Sequence, residues 1–272
     1  MPELPEVETT RRGLAPHLVG RRIVAVTVRD ARLRWPIAAD LAAAITGQRI
    51  RDLRRRAKYL IIELERDALI VHLGMSGALG IVAAQAPAGK HDHFELELDA
   101  GHALRLTDPR RFGSIHRVRG DPEAHALLAN LGPEPLSAEF EPQRLHRLTR
   151  GRRASIKETL MNSRVVAGVG NIYANEALFR ARIHPRTPAG KISLKRYAVL
   201  VPSVQATLCE AIEAGGSSLR DWRHADGSLG YFQQCYFVYD REGEACRACA
   251  APIRAIRQGQ RATYYCPRCQ RR

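Results

Sequence analysis

The sequence contains no long apolar run and no single basic amphipathic helix, so neither a membrane span nor a membrane surface is its expected partner. It has no internal repeat and no low-complexity tract, which excludes a solenoid or a disordered scaffold. Lysine is scarce: the 43 basic residues include only Lys58, Lys90, Lys157, Lys191 and Lys195. A lone lysine directly after Arg54-Arg55-Arg56-Ala57 therefore stands out. The first residues show no basic segment, apolar stretch or cleavage site. The expected location is thus the cytoplasm, where disulfides are not the expected use of the six cysteines.

What is present points to a polyanion. Acidic residues number 28 and the net charge is +15, a balance typical of chains that meet nucleic acid. Phosphate contacts by Arg and Lys supply most of the sequence-independent affinity for DNA. Four cysteines, Cys246, Cys249, Cys266 and Cys269, form a C-x2-C-x16-C-x2-C array. That spacing reads as one structural Zn2+, because four thiolates close a tetrahedral shell and leave no position for a catalytic water. A small arginine-rich unit buries little core, so the metal would supply its folding energy. Cys209 reads as a core residue of a helix, and Cys235 has no assigned place.

The opening residues Pro2-Glu3-Leu4-Pro5-Glu6 carry candidate chemistry. With the initiator methionine removed, Pro2 becomes a secondary amine beside a carboxylic acid. A terminal amine titrates near pH ~8 and a lysine near ~10.4, so its neutral fraction at pH 7 is ~300-fold larger. Such an amine can attack a sugar aldehyde carbon to give an iminium, an electron sink for later eliminations. Pro5 in the first turn of a helix, with Glu6 and Glu8 complementing its dipole, accounts for the rest of the segment but not for Pro2-Glu3.

Periodicity predicts two kinds of structure. A helix over 5–18 is followed by strands at 22–29, 59–65, 68–73, 93–98 and 103–107, most clearly Phe94-Glu95-Leu96-Glu97-Leu98. Residues 1–130 thus form a mostly β domain, two packed sheets with an N-terminal helix, and the prolines of 131–150 mark a linker. Helices are expected from Ser155, over Asn171–Arg180 and over Leu194–Ala214, the last kinked at Pro202 and ended by Gly215-Gly216. Two loops look suited to prying open a duplex. Leu73-Gly74-Met75-Ser76-Gly77 carries Met75 at its tip, and Asp108-Pro109-Arg110-Arg111-Phe112-Gly113 sets Phe112 beside arginines. Apolar wedges with arginine nearby unstack DNA; each side chain alone reads first as a packing residue, but two such loop tips in one basic protein favour the wedge.

These motifs, with Arg56-Ala57-Lys58-Tyr59, Lys90-His91-Asp92-His93 and Gly168-Val169-Gly170-Asn171, resemble the bacterial formamidopyrimidine-DNA glycosylases from end to end. The resemblance implies an α+β multidomain fold. It comprises an N-terminal β-sandwich, a helix–two-turn–helix DNA-binding domain over 151–235 and a zinc-binding β-hairpin over 236–272. It implies a base-excision enzyme, a glycosylase and lyase, acting as a monomer on double-stranded DNA that holds an oxidised purine or an abasic site. Pro2 would attack the sugar, Glu3 protonate its ring oxygen, Lys58 move the proton for β-elimination and Arg261 assist δ-elimination. His91, Arg110, Arg152 and Asn171 would grip phosphates, while Met75, Arg110 and Phe112 would fill the gap left by the flipped base. The segment 215–230 would fold over that base. An oxidised-pyrimidine enzyme of the endonuclease VIII type, which usually opens Pro-Glu-Gly-Pro, and a non-catalytic zinc-containing DNA-binding regulator are the alternatives. The regulator leaves Pro2, Glu3 and Lys58 without a purpose.

Overall fold

The computed structural model describes residues 2–217 and 231–271, so Met1 and most of the segment expected over the flipped base, 218–230, lie outside the described residues. The chain divides into two compact units, residues 1–129 with 215–231 and residues 130–214 with 232–272.

The first unit opens with α1 (Leu4–Leu18), started by a reciprocal Glu3–Glu6 capping box and a proline in the first turn. Val7, Leu14 and Leu18 lie on its buried side. Next come β1 (Ile23–Val28), α2 (Leu41–Ile45), β2 (Ile50–Arg56), β3 (Tyr59–Leu64), β4 (Asp67–His72), β5 (Ala78–Ala83), β6 (Asp92–Leu98), β7 (His102–Thr107) and β8 (Ser114–Arg119). The eight strands form two antiparallel four-stranded sheets, ordered β1-β6-β7-β5 and β2-β3-β4-β8. Leu96, Leu104 and Leu106 from one sheet and Leu60, Ile62, Leu69 and Val71 from the other share a core with Leu14 and Leu18. Each such side chain stabilises the sandwich by roughly 1.5–3 kcal/mol on burial. The expected sandwich with its N-terminal helix is therefore present, with β2, β5, β8 and α2 as elements that periodicity did not suggest.

The second unit holds α3 (Pro142–Thr149), α4 (Ile156–Leu160), α5 (Asn171–Arg180), α6 (Leu194–Glu213), β9 (Arg254–Gln258) and β10 (Arg261–Tyr265). Residues 131–150, read as a linker, carry α3, which packs against α6 through buried Leu145 and Thr149. Pro202 stands inside α6 without ending it. The loop between α4 and α5 is strapped by the preceding segment. Gly132 donates to Ser163 and Ala167 donates to Pro133, and a Cβ at Gly132 would meet the Val165 carbonyl carbon at 2.8 Å. Cys209 is exposed, which corrects its reading as a core residue. The buried stripe of α6 runs through Tyr197, Leu200, Val201, Val204, Leu208 and Ala211, and Cys209 falls about 100° beyond Leu208. Cys235 is exposed too. No helix among the described residues is long and apolar enough to cross a membrane.

Candidate functional site

The residues expected to do chemistry in the first unit converge on the start of α1 and on one tight turn. Pro2 and Glu3 are buried, and the Glu3 backbone N–H donates to Glu6 Oε2 at 2.8 Å. Glu6 Oε1 accepts the Ser217 N–H at 2.8 Å, and Ser217 bridges to Tyr231, so one buried carboxylate holds both the N-terminus of α1 and the base of the 215–230 segment. Lys58 occupies a two-residue turn between paired Arg56 and Tyr59, where Ala57 adopts a φ of 54°. A non-glycine residue there stores backbone strain of the kind found at functional sites. Arg55 links this turn to the helix: it donates to Ala57 O at 3.0 Å and pairs with Glu8 of α1 at 3.1 Å. Burial pushes the Glu8 carboxyl up, but hydrogen bonds from Arg11 and Arg12 and the charge of Arg55 outweigh it and hold the group below its ordinary value.

His72, quoted in the sequence only as part of a motif, packs 4.9 Å from the Tyr59 ring. Its Nδ1 accepts the Gly74 N–H at 3.0 Å. Burial, then the charges of Lys58 and Arg34, pull it down to about 4, so it stands neutral beside the lysine. The signal for it in the sequence was only its place in His72-Leu73-Gly74.

The two expected wedges lie outside the core: Met75 is 39% exposed and Phe112 is 42% exposed. The Arg110 guanidinium sits 5.0 Å from the centre of the Phe112 ring. His91 is half-buried at the end of a loop held from beneath, where Arg105 donates to the Ala86 and Pro87 carbonyls and Asp92 accepts from Gly89 at 2.7 Å. Arg105 itself is buried between Glu95, at 2.6 Å, and Asp92, at 3.4 Å. Long-range ion pairing of this kind left no mark in the sequence pattern.

In the second unit, Asn171 opens α5 and donates to Ala262 O at 3.1 Å, which sets it beside Arg261 at the tip of the β9–β10 hairpin. That hairpin turns through Gly259 and Gln260, both at positive φ, and leaves Arg261 exposed. Lys157, named in the sequence only as one of five lysines, is 1% exposed and donates to Ala262 O at 2.9 Å and Thr263 Oγ1 at 2.6 Å. Asn175 accepts the Tyr264 N–H at 2.9 Å, so α4 and α5 both hold β10. Glu176 accepts three successive backbone N–H groups, from Phe237, Val238 and Tyr239, at 2.8–3.0 Å. Its burial raises its carboxyl above the ordinary value despite those bonds. Arg152 is exposed after α3, with its carbonyl accepting the Gly190 N–H at 3.1 Å.

The sulfurs of Cys246, Cys249, Cys266 and Cys269 all lie within 4.8 Å of one another. The sulfur–sulfur distances of 4.0 Å for Cys246–Cys269 and 3.5 Å for Cys249–Cys266 are far longer than disulfides. A tetrahedral Zn2+ with Zn–S of about 2.3 Å sets sulfurs roughly 3.8 Å apart, so the cluster fits one structural zinc. Backbone N–H groups of Ala248 and Cys269 point at Cys246 Sγ and Cys266 Sγ, each at 3.4 Å, as suits thiolate ligands. Phe179, Val238 and Ile253 bury the cluster's inner side.

Comparison with known proteins covers nearly the whole chain. Residues 1–115 match the formamidopyrimidine-DNA glycosylase N-terminal domain, residues 131–222 its H2TH domain, and residues 243–272 a zinc finger found in FPG and IleRS. The formamidopyrimidine-DNA glycosylase of Methylococcus capsulatus is 58% identical over 271 residues, covering 100% of both chains. The Lactococcus lactis Fpg in complex with DNA containing an abasic site superposes with a TM-score of 0.93 at 35% identity, over 100% of both chains. A variant of that protein in complex with DNA containing Fapy-dG gives the same TM-score, 0.93, and the same identity, 35%, over 100% of both chains.

Proposed function

The chain belongs to the formamidopyrimidine-DNA glycosylase family, and from that membership we infer a base-excision repair enzyme whose nucleophile is Pro2. It removes oxidised purines from duplex DNA and cleaves the abasic strand, as a glycosylase and a lyase in one chain. The observation that carries the assignment of the site is the buried Pro2-Glu3 pair at the start of α1, held by Glu6. Once Met1 is removed, the Pro2 nitrogen adds to the sugar C1′ as the glycosidic bond breaks and the base departs. Glu3 gives a proton to the ring oxygen, the ring opens, and C1′ and Pro2 are joined as an iminium. That cation acidifies C2′. Lys58 carries the proton away as the 3′ phosphate leaves, and Arg261 assists the second elimination, which expels the 5′ phosphate.

Before any of this the base must leave the stack, at a cost of a few kcal/mol. Met75, Arg110 and Phe112 would occupy the space it vacates. His91, Arg110, Arg152 and Asn171 would hold phosphates, which fixes register without reading sequence. Zinc, held by the four cysteines, keeps the hairpin folded and takes no part in the chemistry. The enzyme would act as a monomer on the nucleoid of a bacterial cytoplasm.

Borohydride reduction on an 8-oxoguanine duplex tests the nucleophile. The trapped DNA should map to the peptide that begins at Pro2. An adduct on Lys58, with Pro2→Gly trapping as well as the unaltered protein, would overturn the assignment.

A further inference from the structure

The loops that carry Met75 and Phe112 are joined beneath the surface by one carboxyl group. Asp108, which directly follows β7, is fully buried. Its Oδ1 accepts the Ser76 hydroxyl at 2.7 Å, and its Oδ2 accepts the Gly113 N–H at 2.8 Å. Ser76 Oγ in turn accepts the Arg110 N–H at 3.2 Å. The backbone of Asp108 is pinned too, its N–H donating to His91 O at 2.9 Å and its carbonyl meeting His93 Nε2 at 2.9 Å. The loops also touch backbone to backbone. An ideal Cβ on Gly74 would stand 2.3 Å from the Phe112 carbonyl carbon and 2.5 Å from Gly113 N, and Gly74 has a φ of +63°. No side chain fits there.

A carboxylate bonded only within its own loop would be an ordinary turn device. Here one oxygen serves its own loop and the other reaches a residue 32 positions away in sequence. A buried polar group whose bonds are all made specifies one arrangement, where an apolar filler would allow several. We propose that Asp108, acting through Ser76, is a positioning residue that locks the Met75 and Phe112 loops into a single wedge. The two side chains then meet the duplex at a fixed spacing, and unstacking depends on that spacing. The inference rests on the reading of Met75 and Phe112 as wedges.

Ser76→Ala is the sharpest probe, since it cuts the inter-loop bond and leaves Asp108 bonded to Gly113. With one contact between coupled residues lost, excision of 8-oxoguanine from paired duplex should fall by about 10-fold. Cleavage of an abasic site in single-stranded DNA, where nothing needs unstacking, should fall far less. The fluorescence rise of 2-aminopurine placed beside the lesion should slow in step with excision. In a Met75→Ala, Phe112→Ala background, Ser76→Ala should add nothing further. Asp108→Ala, which removes both acceptors, should repeat the pattern.

Any of four results would overturn the inference. The first is equal losses on both substrates. The second is a Ser76→Ala effect that persists undiminished without the wedge side chains. The third is normal paired-duplex excision by Ser76→Ala while Met75→Ala and Phe112→Ala are impaired, which spares the wedge reading and removes only the lock. If Met75→Ala and Phe112→Ala themselves fail to separate the two substrates, the wedge reading falls and the lock falls with it.

Discussion

Glu3 shows how much a single position is asked to do. It caps α1, neighbours the proposed nucleophile Pro2 and is buried at 2% exposure. Glu3→Gln keeps the size and the cap but cannot donate the proton, so excision should fall by at least ~10². Cleavage of a preformed abasic site should suffer less, because no glycosidic bond remains to be broken; equal losses would place the carboxyl group after base release. His72 adds a pH dependence. Its ordinary value of 6.5 is pulled down to about 4 by burial and by the charges of Lys58 and Arg34. The unfolded chain therefore takes up a proton near 6.5 that the folded chain refuses until about 4. Stability from this residue is complete above pH 6.5 and is lost as pH falls towards 4, by up to ~1.4 kcal/mol per pH unit. His72→Asn keeps an acceptor for the Gly74 N–H and does not titrate. Urea unfolding of the two proteins across that window should show a shallower slope for the variant, and parallel slopes would contradict the assignment.

Among the elements, the zinc hairpin depends most on something beyond its own chain. Its cluster core contains Val238, Ile253, Cys246, Cys266 and Phe179 of α5, too little apolar surface to hold a fold by itself. Cys266→Ser should therefore release the metal, unfold the hairpin and displace Arg261, with DNA affinity collapsing while the β-sandwich keeps its melting transition. Metal analysis beside a binding titration decides it; one zinc retained with binding intact would remove the site. The same scale shows why some strands escaped notice. β2 reads as a basic run because only Ile50 and Leu53 of Ile50–Arg56 are buried. Arg54, Arg55 and Arg56 sit in a strand where Glu63 of neighbouring β3, and Glu8 and Glu123 from far along the chain, neutralise them. α3 was hidden in the same way, behind prolines and a charged face, with Leu145 and Thr149 as its buried contacts.

At the scale of the whole molecule, a net charge of +15 makes binding a salt-dependent quantity. The logarithm of the DNA association constant should fall with the logarithm of salt by about 0.9 per phosphate neutralised. Arg152→Gln should weaken binding alike on lesion and undamaged duplexes and lower that slope by about one. A loss confined to lesion DNA would make Arg152 part of base recognition instead. The sequence alone was enough for the zinc ligands and the sandwich, and for the proposal of Pro2 as the nucleophile. Those rest on local chemistry: a terminal secondary amine, four cysteines at ligand spacing, and side chains alternating with a period of two. Tertiary structure alone decided that Met75 and Phe112 are exposed, that His72 is neutral, that Lys157 holds the hairpin and that Asp108 joins two loops. Each of these depends on what a side chain meets after folding, and burial, desolvation and hydrogen bonds between distant residues have no periodicity to read.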